Sequence, residues 1–255
     1  MPTMTGAQFL AETLHGYGVS HYFFMPVSVP EAMPEFDRVG ITPIMAHTEK
    51  GAAYMADGYA RLSGKIGVCG AQSVGALNLA AGLQDARLGC SPVLALTGRL
   101  PQLSQHRHAY QELDHMGPFG AVTKYSVPVT RVEELPVFLR QALREATSGT
   151  PGPTHLDLYG IAGGDVMTGT ADLDVVIEND FRHIPATRPA ASPESVQAVL
   201  AQTQAALRPI IVAGGGVRCS EARDELVELA EKLQVPVITS LNAKEMFPPN
   251  HELAL

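Results

Sequence analysis

Residues 66–97, IGVCGAQSVGALNLAAGLQDARLGCSPVLALT, decide the fold. Residues 66–71 and 92–97 are short runs, apolar or small throughout, and 76–87 between them reads as a helix. Strands that are apolar along their whole length, alternating with helices, specify a parallel sheet covered on both faces. The same alternation extends outward. Upstream, Thr5-Gly6-Ala7-Gln8 has the form of a capping box. Phe9, Leu10, Thr13, Leu14 and Tyr17 then recur at helical spacing until Gly18. Residues 21–25 form a strand closed by Pro26, 41–46 another strand, and 50–62 a helix rich in Ala and Gly. Downstream, 100–124 is too long for an ordinary connection of about 4–6 residues, and such loops are often functional. A helix over 132–147 and a strand over 154–159 complete the pattern.

The fold class is therefore α/β, a parallel sheet with helices on both faces, followed by an incomplete second α/β domain. Residues 1–165 form the first domain. Gly163-Gly164, Pro185, Pro189 and Pro193 mark a linker over 166–190. Residues 191–255 begin the second domain, with helix 194–207, strand 209–213, helix 221–233 and strand 235–239. About 65 residues with two strands fall short of the usual domain of about 100–150 residues. Their sheet has faces and an edge to cover, so more polypeptide is expected after Leu255, or in a separate chain.

Apolar residues make up 45% of the 255, ordinary for a chain that buries a core. The net charge of −8 argues against a nucleic-acid partner, which needs a basic stripe. Cys69, Cys90 and Cys219 are odd in number and far apart, which favours a reducing compartment over a disulfide framework. The first 17 residues lack the basic and apolar regions of a signal peptide. Nowhere do about 18 apolar residues run uninterrupted, so no transmembrane helix is expected. The expected location is cytoplasmic, with no membrane partner.

The segment with most chemical content is HTEKGAAYMADGYAR, residues 47–61. Glu49 falls between an apolar strand and a small-residue helix, and strand ends in open α/β sheets are where ligands bind. Burial there would favour the neutral carboxyl. By residue type alone, Glu49 reads first as a residue that caps the helix and complements its dipole.

The pattern Glu-x-Gly-Ala-Ala-x-Met-Ala-Asp-Gly-Tyr-Ala-Arg resembles the pyrimidine-binding domain of thiamine-diphosphate enzymes of the acetolactate synthase, pyruvate oxidase and benzoylformate decarboxylase type. The resemblance continues in order through KIGVC (65–69), Gly75-Ala76-x-Asn78-Leu79, SPVLALTG (91–98), Tyr110-Gln111-Glu112, Thr123-Lys124 and GPTHLD (152–157). It covers nearly all of residues 3–160. It implies that Glu49 is the catalytic glutamate, which hydrogen-bonds N1′ of the cofactor's aminopyrimidine and so helps its 4′-imino nitrogen take the C2 proton of the thiazolium. Cofactor contacts are implied for Pro26, Val27, Ser73, Gly75 and Asn78, and substrate contacts for Ser28 and Gln111. The implied substrate is a small 2-oxo acid, decarboxylated or joined to a second carbonyl compound.

Some positions depart from the family pattern. Val27 replaces a usual glycine, Ser73-Val74-Gly75 keeps only the last glycine of a frequent Gly-Pro-Gly, and Thr48 stands where histidine is common before the glutamate. These changes put acetolactate synthesis itself in doubt, because the pocket walls differ. Ser28 and Ser73 read equally as plain turn residues.

The family anchors the diphosphate through Mg²⁺ with Gly-Asp-Gly and a later Asn. Here Gly164-Asp165-Val166 lacks the final glycine. The Mg²⁺ ligands are therefore expected outside this chain, from later sequence or a partner chain carrying the diphosphate-binding domain, within a homo-oligomer (dimer or tetramer) or a split assembly. Gly214-Gly215-Gly216 lacks the third glycine of a dinucleotide fingerprint and reads as a strand–helix turn. It resembles the start of the family's central domain, where some relatives hold FAD. His106, His108 and His115, with Glu112 and Asp114, have no fixed metal-ligand spacing, and no metal ligand is assigned. Two other readings remain: a non-catalytic binding or assembly relative, and a serine hydrolase. The second rests on Ala71-Gln72-Ser73-Val74-Gly75, which resembles a nucleophile elbow with Ser73 as nucleophile.

Overall fold

The structure, a computed structural model, describes residues 2–255, which divide into two compact units between Ala186 and Thr187. The first unit opens with β1 (Thr3–Thr5), α1 (Gly6–Gly16), β2 (His21–Phe24), α2 (Met33–Val39), β3 (Thr42–Met45), α3 (Glu49–Ser63) and β4 (Gly67–Gln72). It continues with α4 (Gly75–Leu88), β5 (Val93–Gly98), α5 (Met116–Val122), β6 (Tyr125–Val129), α6 (Leu135–Thr147), β7 (Thr154–Leu158), α7 (Gly164–Thr168) and β8 (Thr170–Asp172). The capping box at α1 forms as expected: Gln8 N–H donates to Thr5 Oγ1 at 3.1 Å and Thr5 N–H to Gln8 Oε1 at 3.0 Å.

Six strands make one sheet in the order β3-β2-β4-β5-β7-β6, every neighbouring pair parallel. Strands β5 and β7 are buried along their whole length; β5 accordingly reads as an apolar run, whereas β7 carries His155 and Asp157 between its leucines. Their leucines, Leu94, Leu96, Leu156 and Leu158, face a core with Leu10 and Leu14 of α1, Phe36 of α2 and Leu139 of α6. The opposite face packs Cys69, Ala71, Val93 and Ala95 against α3, α4 and α5. Small residues dominate that layer, and the backbones approach closely. A Cβ on Gly67 would lie 2.2 Å from the Ala56 carbonyl oxygen, and one on Gly82 would lie 2.7 Å from Ala53 Cβ. The glycines and alanines of α3 and α4 thus set the two helices together with their N-termini adjacent.

The sheet turns back on itself at β2. The chain moves from β2 to β3 on one side, while β4 and β5 lie on the other. The crevice at the C-terminal ends of β2 and β4 is where open α/β sheets bind ligands.

Several features differ from the sequence reading. Tyr125–Val129, to which the sequence pattern assigned no element, is the edge strand β6, with Tyr125 opposite Thr154. Pro128 hides it, since a residue without an N–H belongs in a strand only at an edge or bulge. Residues 166–186, part of the stretch expected as a linker, pack on the first unit. Val166 and Met167 are fully buried, and β8 pairs antiparallel with β1, Met4 opposite Ala171. Strands of three residues are too short to carry a periodic signal.

The second unit contains α8 (Pro193–Ala205), β9 (Ile211–Ala213), α9 (Gly215–Cys219), α10 (Arg223–Leu233) and β10 (Val237–Thr239). Its two strands are parallel, over a small core of Ala213, Leu226, Ala230, Val237 and Phe247. Helix α8 has no buried residue and exposes Val196, Val199 and Leu200, while β9 exposes Val212. Gly214 caps the short α9, so the glycine run is a strand-to-helix turn. Among the described residues, no helix is long and apolar enough to cross a membrane.

Candidate functional site

The crevice collects the residues around Glu49. Thr48, in extended conformation, caps α3: its Oγ1 accepts the Gly51 N–H at 2.9 Å. The capping role therefore belongs to Thr48, and the Glu49 carboxylate is free for other contacts. Glu49, the first residue of α3, is half-buried, less than its place in the sequence led us to expect. Asn78 Nδ2 donates to Glu49 Oε2 at 3.2 Å. Oε1 faces the start of α4, where a Cβ on Gly75 would lie 2.6 Å away. The positive ends of two helices thus stand beside one carboxylate.

The turn before α4 is held from below. Ser73 is buried and has φ 46°, in the left-handed region. Its N–H donates to the Gly98 carbonyl at 3.0 Å, and its carbonyl accepts the Ala76 N–H at 2.9 Å. After β2, Pro26 and Val27 are exposed, whereas Ser28 is 1% exposed. Ser28 Oγ is 2.7 Å from Tyr22 Oη, beneath Gly70, which leaves room for both. Burial pushes the Tyr22 phenol well above its usual value, outweighing the opposing hydrogen bond from Ser28.

Of the residues singled out in the sequence, the structure therefore brings Glu49, Gly75 and Asn78 into contact. Ser73 adjoins them through its backbone, with its side chain turned inward. Pro26 and Val27 follow the strand next to β4. Ser28, expected at the substrate, is committed to Tyr22. Gln111 lies at φ 62° in the loop after β5, beside Glu112. The Glu112 carboxylate gathers that loop, accepting the N–H groups of His106, Arg107 and Ala109. The His106 N–H, with the other two, holds Glu112 below the usual carboxylate range. The loop borders a cavity of about 480 Å³ lined by Arg99, Gln105, His106, His108, Glu112 and Asp114 among others. Among the described residues no three His, Cys, Asp or Glu side chains cluster as metal ligands.

Part of the 47–61 segment is structural. Asp57 is 6% exposed and pairs with Arg61 through Nε–Oδ1 at 2.8 Å and Nη2–Oδ2 at 2.9 Å. Arg61 Nη2 also donates to the Asp85 carbonyl at 3.2 Å, tying α3 to α4.

A fully buried network beneath the turn was missed from sequence: Thr97, His115, His155 and Asp157, each 0% exposed. His115 Nδ1 is 2.8 Å from Asp157 Oδ1, and its Nε2 is 3.0 Å from the Ser73 carbonyl oxygen. Thr97 Oγ1 donates to Asp157 Oδ1 at 2.8 Å and lies 2.7 Å from His155 Nε2. Arg99 Nη1 donates to Asp157 Oδ2 at 3.2 Å. Burial pushes His155 down to about 3, with His115 and Arg99 adding to the shift and the Asp157 charge opposing it. Burial alone would raise Asp157, but the His115 bond and nearby charges hold it below the usual range. The available signal was the polar alternation of His155 and Asp157 within an otherwise apolar strand. Ser73, His115 and Asp157 do meet, but His115 faces the Ser73 carbonyl rather than its hydroxyl, and all three are buried.

Residues 4–117 match the family described as thiamine pyrophosphate enzyme, N-terminal TPP binding domain, and residues 196–255 match the central domain of the same enzymes. A probable acetolactate synthase large subunit of Methanocaldococcus jannaschii is 36% identical over 258 residues, which are 99% of this chain and 43% of that protein. Acetolactate synthase isozyme 1 large subunit of Escherichia coli is 36% identical, over 98% of this chain and 44% of that protein. The acetolactate synthase large subunit of Lactococcus lactis is 34% identical, over 98% and 43%. The chain thus spans less than half the length of these curated relatives.

Proposed function

This chain belongs to the thiamine pyrophosphate enzymes, carrying their N-terminal domain and part of their central domain, and from that premise we propose that it supplies the pyrimidine half of a site acting on a 2-oxo acid. The overall reaction is acetolactate-synthase-like: a decarboxylation or carboligation at a 2-oxo acid. The observation that carries the reading is the placement of Glu49, with one oxygen held by Asn78 and the other facing the bare Cα of Gly75.

The residues present fit the pyrimidine half of thiamine diphosphate. A carboxyl at two helix N-termini, beside a recess that one methyl group would fill, offers a hydrogen bond to a ring nitrogen. Bound thiamine diphosphate would supply an electron sink for bond cleavage next to a carbonyl. Glu49 would hold the proton shared with the ring nitrogen, Asn78 would orient the carboxyl, and Gly75 would keep the approach open. Gly164-Asp165-Val166 lacks the last glycine of the segment that anchors the diphosphate through Mg²⁺ in the family, and among the described residues no three His, Cys, Asp or Glu side chains cluster as metal ligands. We assign the diphosphate and Mg²⁺ to polypeptide outside this chain, in a homo-oligomer or a partner subunit.

The test uses the native assembly containing this chain, with thiamine diphosphate, Mg²⁺ and a set of 2-oxo acids. CO₂ release that falls about 10²–10⁴-fold in Glu49→Gln is the expected result, the usual scale for a proton-transfer group. Full CO₂ release by that variant would sink the mechanism. Cofactor binding without turnover on any 2-oxo acid would favour a non-catalytic relative.

A further inference from the structure

We infer that His115 is a positioning residue: as a doubly protonated ring it bridges Asp157 to the Ser73 carbonyl and thereby fixes the turn at residues 73–75 against Glu49. A neutral imidazole has one N–H and one lone pair. Here Nδ1 meets an Asp157 oxygen at 2.8 Å, with Thr97 Oγ1 3.3 Å away, and Nε2 meets a peptide carbonyl oxygen at 3.0 Å; the carbonyl cannot donate, and neither can the carboxylate while Asp157 is ionised. Both bonds exist together only when the ring carries both protons.

The surroundings favour that state with Asp157 ionised. Besides His115, the carboxylate receives the Thr97 hydroxyl and an Arg99 N–H. Asp114, which is exposed, lies 3.8 Å from Arg99 on the solvent side. The second histidine of the cluster is spoken for differently. Neutral His155 can donate from Nε2 to Thr97 Oγ1 and accept the Ser126 hydroxyl at Nδ1, 2.8 Å away, with its ring stacked on Phe119. From β5, β7 and α5, the charged or titratable groups facing His115 are therefore Arg99, Asp157 and His155. A buried cation is tolerated when it is paired and hydrogen-bonded, as here.

The bridge bears on Glu49 through the backbone. Ser73 holds a left-handed conformation that a residue with a side chain keeps only when its surroundings over-determine it. Its N–H is tied to Gly98 and its carbonyl to His115. Two residues on, Gly75 touches the Glu49 carboxylate, and Asn78 in the next turn of α4 binds it. The bridge itself does not depend on what Glu49 does, whereas its effect on turnover rests on the cofactor reading proposed above.

Nitrogen NMR of the ¹⁵N-histidine-labelled native assembly in assay buffer, with the His115 signals identified by their loss in His115→Gln, tests the protonation directly. Two protonated ring nitrogens are expected, and one unprotonated nitrogen overturns the inference. In folded His115→Gln without cofactor, the Gly75 amide should exchange at least tenfold faster and the Glu49 carboxyl ¹³C signal should move. No change in either overturns the positioning role. If the cofactor reading also holds, this variant lowers kcat and leaves the substrate KM within about twofold. Failure of the cofactor reading appears separately, as a Glu49 signal indifferent to added thiamine diphosphate. Fluorophosphonate labelling of Ser73 that requires His115 would also overturn the inference, because His115 would then be acting as a base.

Discussion

Glu49 and Gly75 touch where two helices begin: a methyl group on Gly75 would lie 2.6 Å from Glu49 Oε1. The neighbour it would strike is the end of a side chain, so the carboxylate can move while the backbone stays. Gly75→Ala should therefore leave the fold intact, since Gly75 opens α4 with no left-handed backbone angle that would need a glycine. The same change should lower thiamine diphosphate affinity of the native assembly about tenfold or more, read by cofactor titration beside a melting curve. Unchanged affinity would mean that the contact has no bearing on the site.

Asn78 is exposed and makes a 3.2 Å hydrogen bond to Glu49 Oε2. Asn78→Ala should cost little stability and reduce turnover about two- to twelvefold, the range expected for one hydrogen bond of about 0.5–1.5 kcal/mol. Asn78→Asp sets a second carboxylate beside the first and should reduce turnover further. Equal rates in all three proteins would remove Asn78 from the site.

His155 is buried and held at about 3, below its ordinary 6.5. The unfolded chain therefore binds an extra proton between those values, and stability rises with pH across that window. The contribution is complete above about 6.5 and is lost as pH falls toward about 3. Asp157, held below its ordinary value, adds a loss of the same sign at the acid end. Urea unfolding measured from pH 7 to pH 4 should show the decline, and His155→Leu, if it folds, should flatten the part above pH 5. An equally steep curve in the variant would locate the effect elsewhere.

Met167 is fully buried although it lies in the stretch that reads as a linker, while Ile161 nearby is 63% exposed. Met167→Asp should abolish cooperative folding of the first unit, because an unpaired buried carboxylate costs several kcal/mol. Ile161→Asp should leave the melting temperature almost unchanged. By the same packing, a fragment ending at residue 186 should be more stable than one ending at 165.

The closed side of Gly98 offers a further check. A Cβ there would lie 2.4 Å from the Ala162 backbone, which unlike a side chain has nowhere to go. Gly98→Ala should destabilise the first unit by about 1–3 kcal/mol, the usual cost of overpacking. A neutral effect in denaturant titration would mean that residues 161–163 are not held against β5.

The alternation of β4, α4 and β5 was legible because each element announces itself locally. A fully buried strand is apolar along its length, and a helix beside it repeats small residues on one face. Edge elements escape that logic. Strand β6 has Pro128 and a half-exposed face, and β1 and β8 are three residues each. Glu49 was legible as a site candidate from the words around it, but its state was not. Thr48 took the helix cap, and the carboxylate proved half-buried rather than buried.

By itself, then, the sequence determined the α/β fold, the alternation of its central strands and helices and the glutamate at the head of α3, all properties of neighbouring residues and their periodicity. The tertiary structure decided which distant side chains meet. Glu49 reaches Asn78, 29 positions away, because small residues let α3 and α4 approach. His115 reaches Asp157 and the Ser73 carbonyl, each 42 positions away, because parallel strands deliver their C-terminal ends to one edge. Local pattern carries no record of such meetings, since they depend on the packed distances between elements.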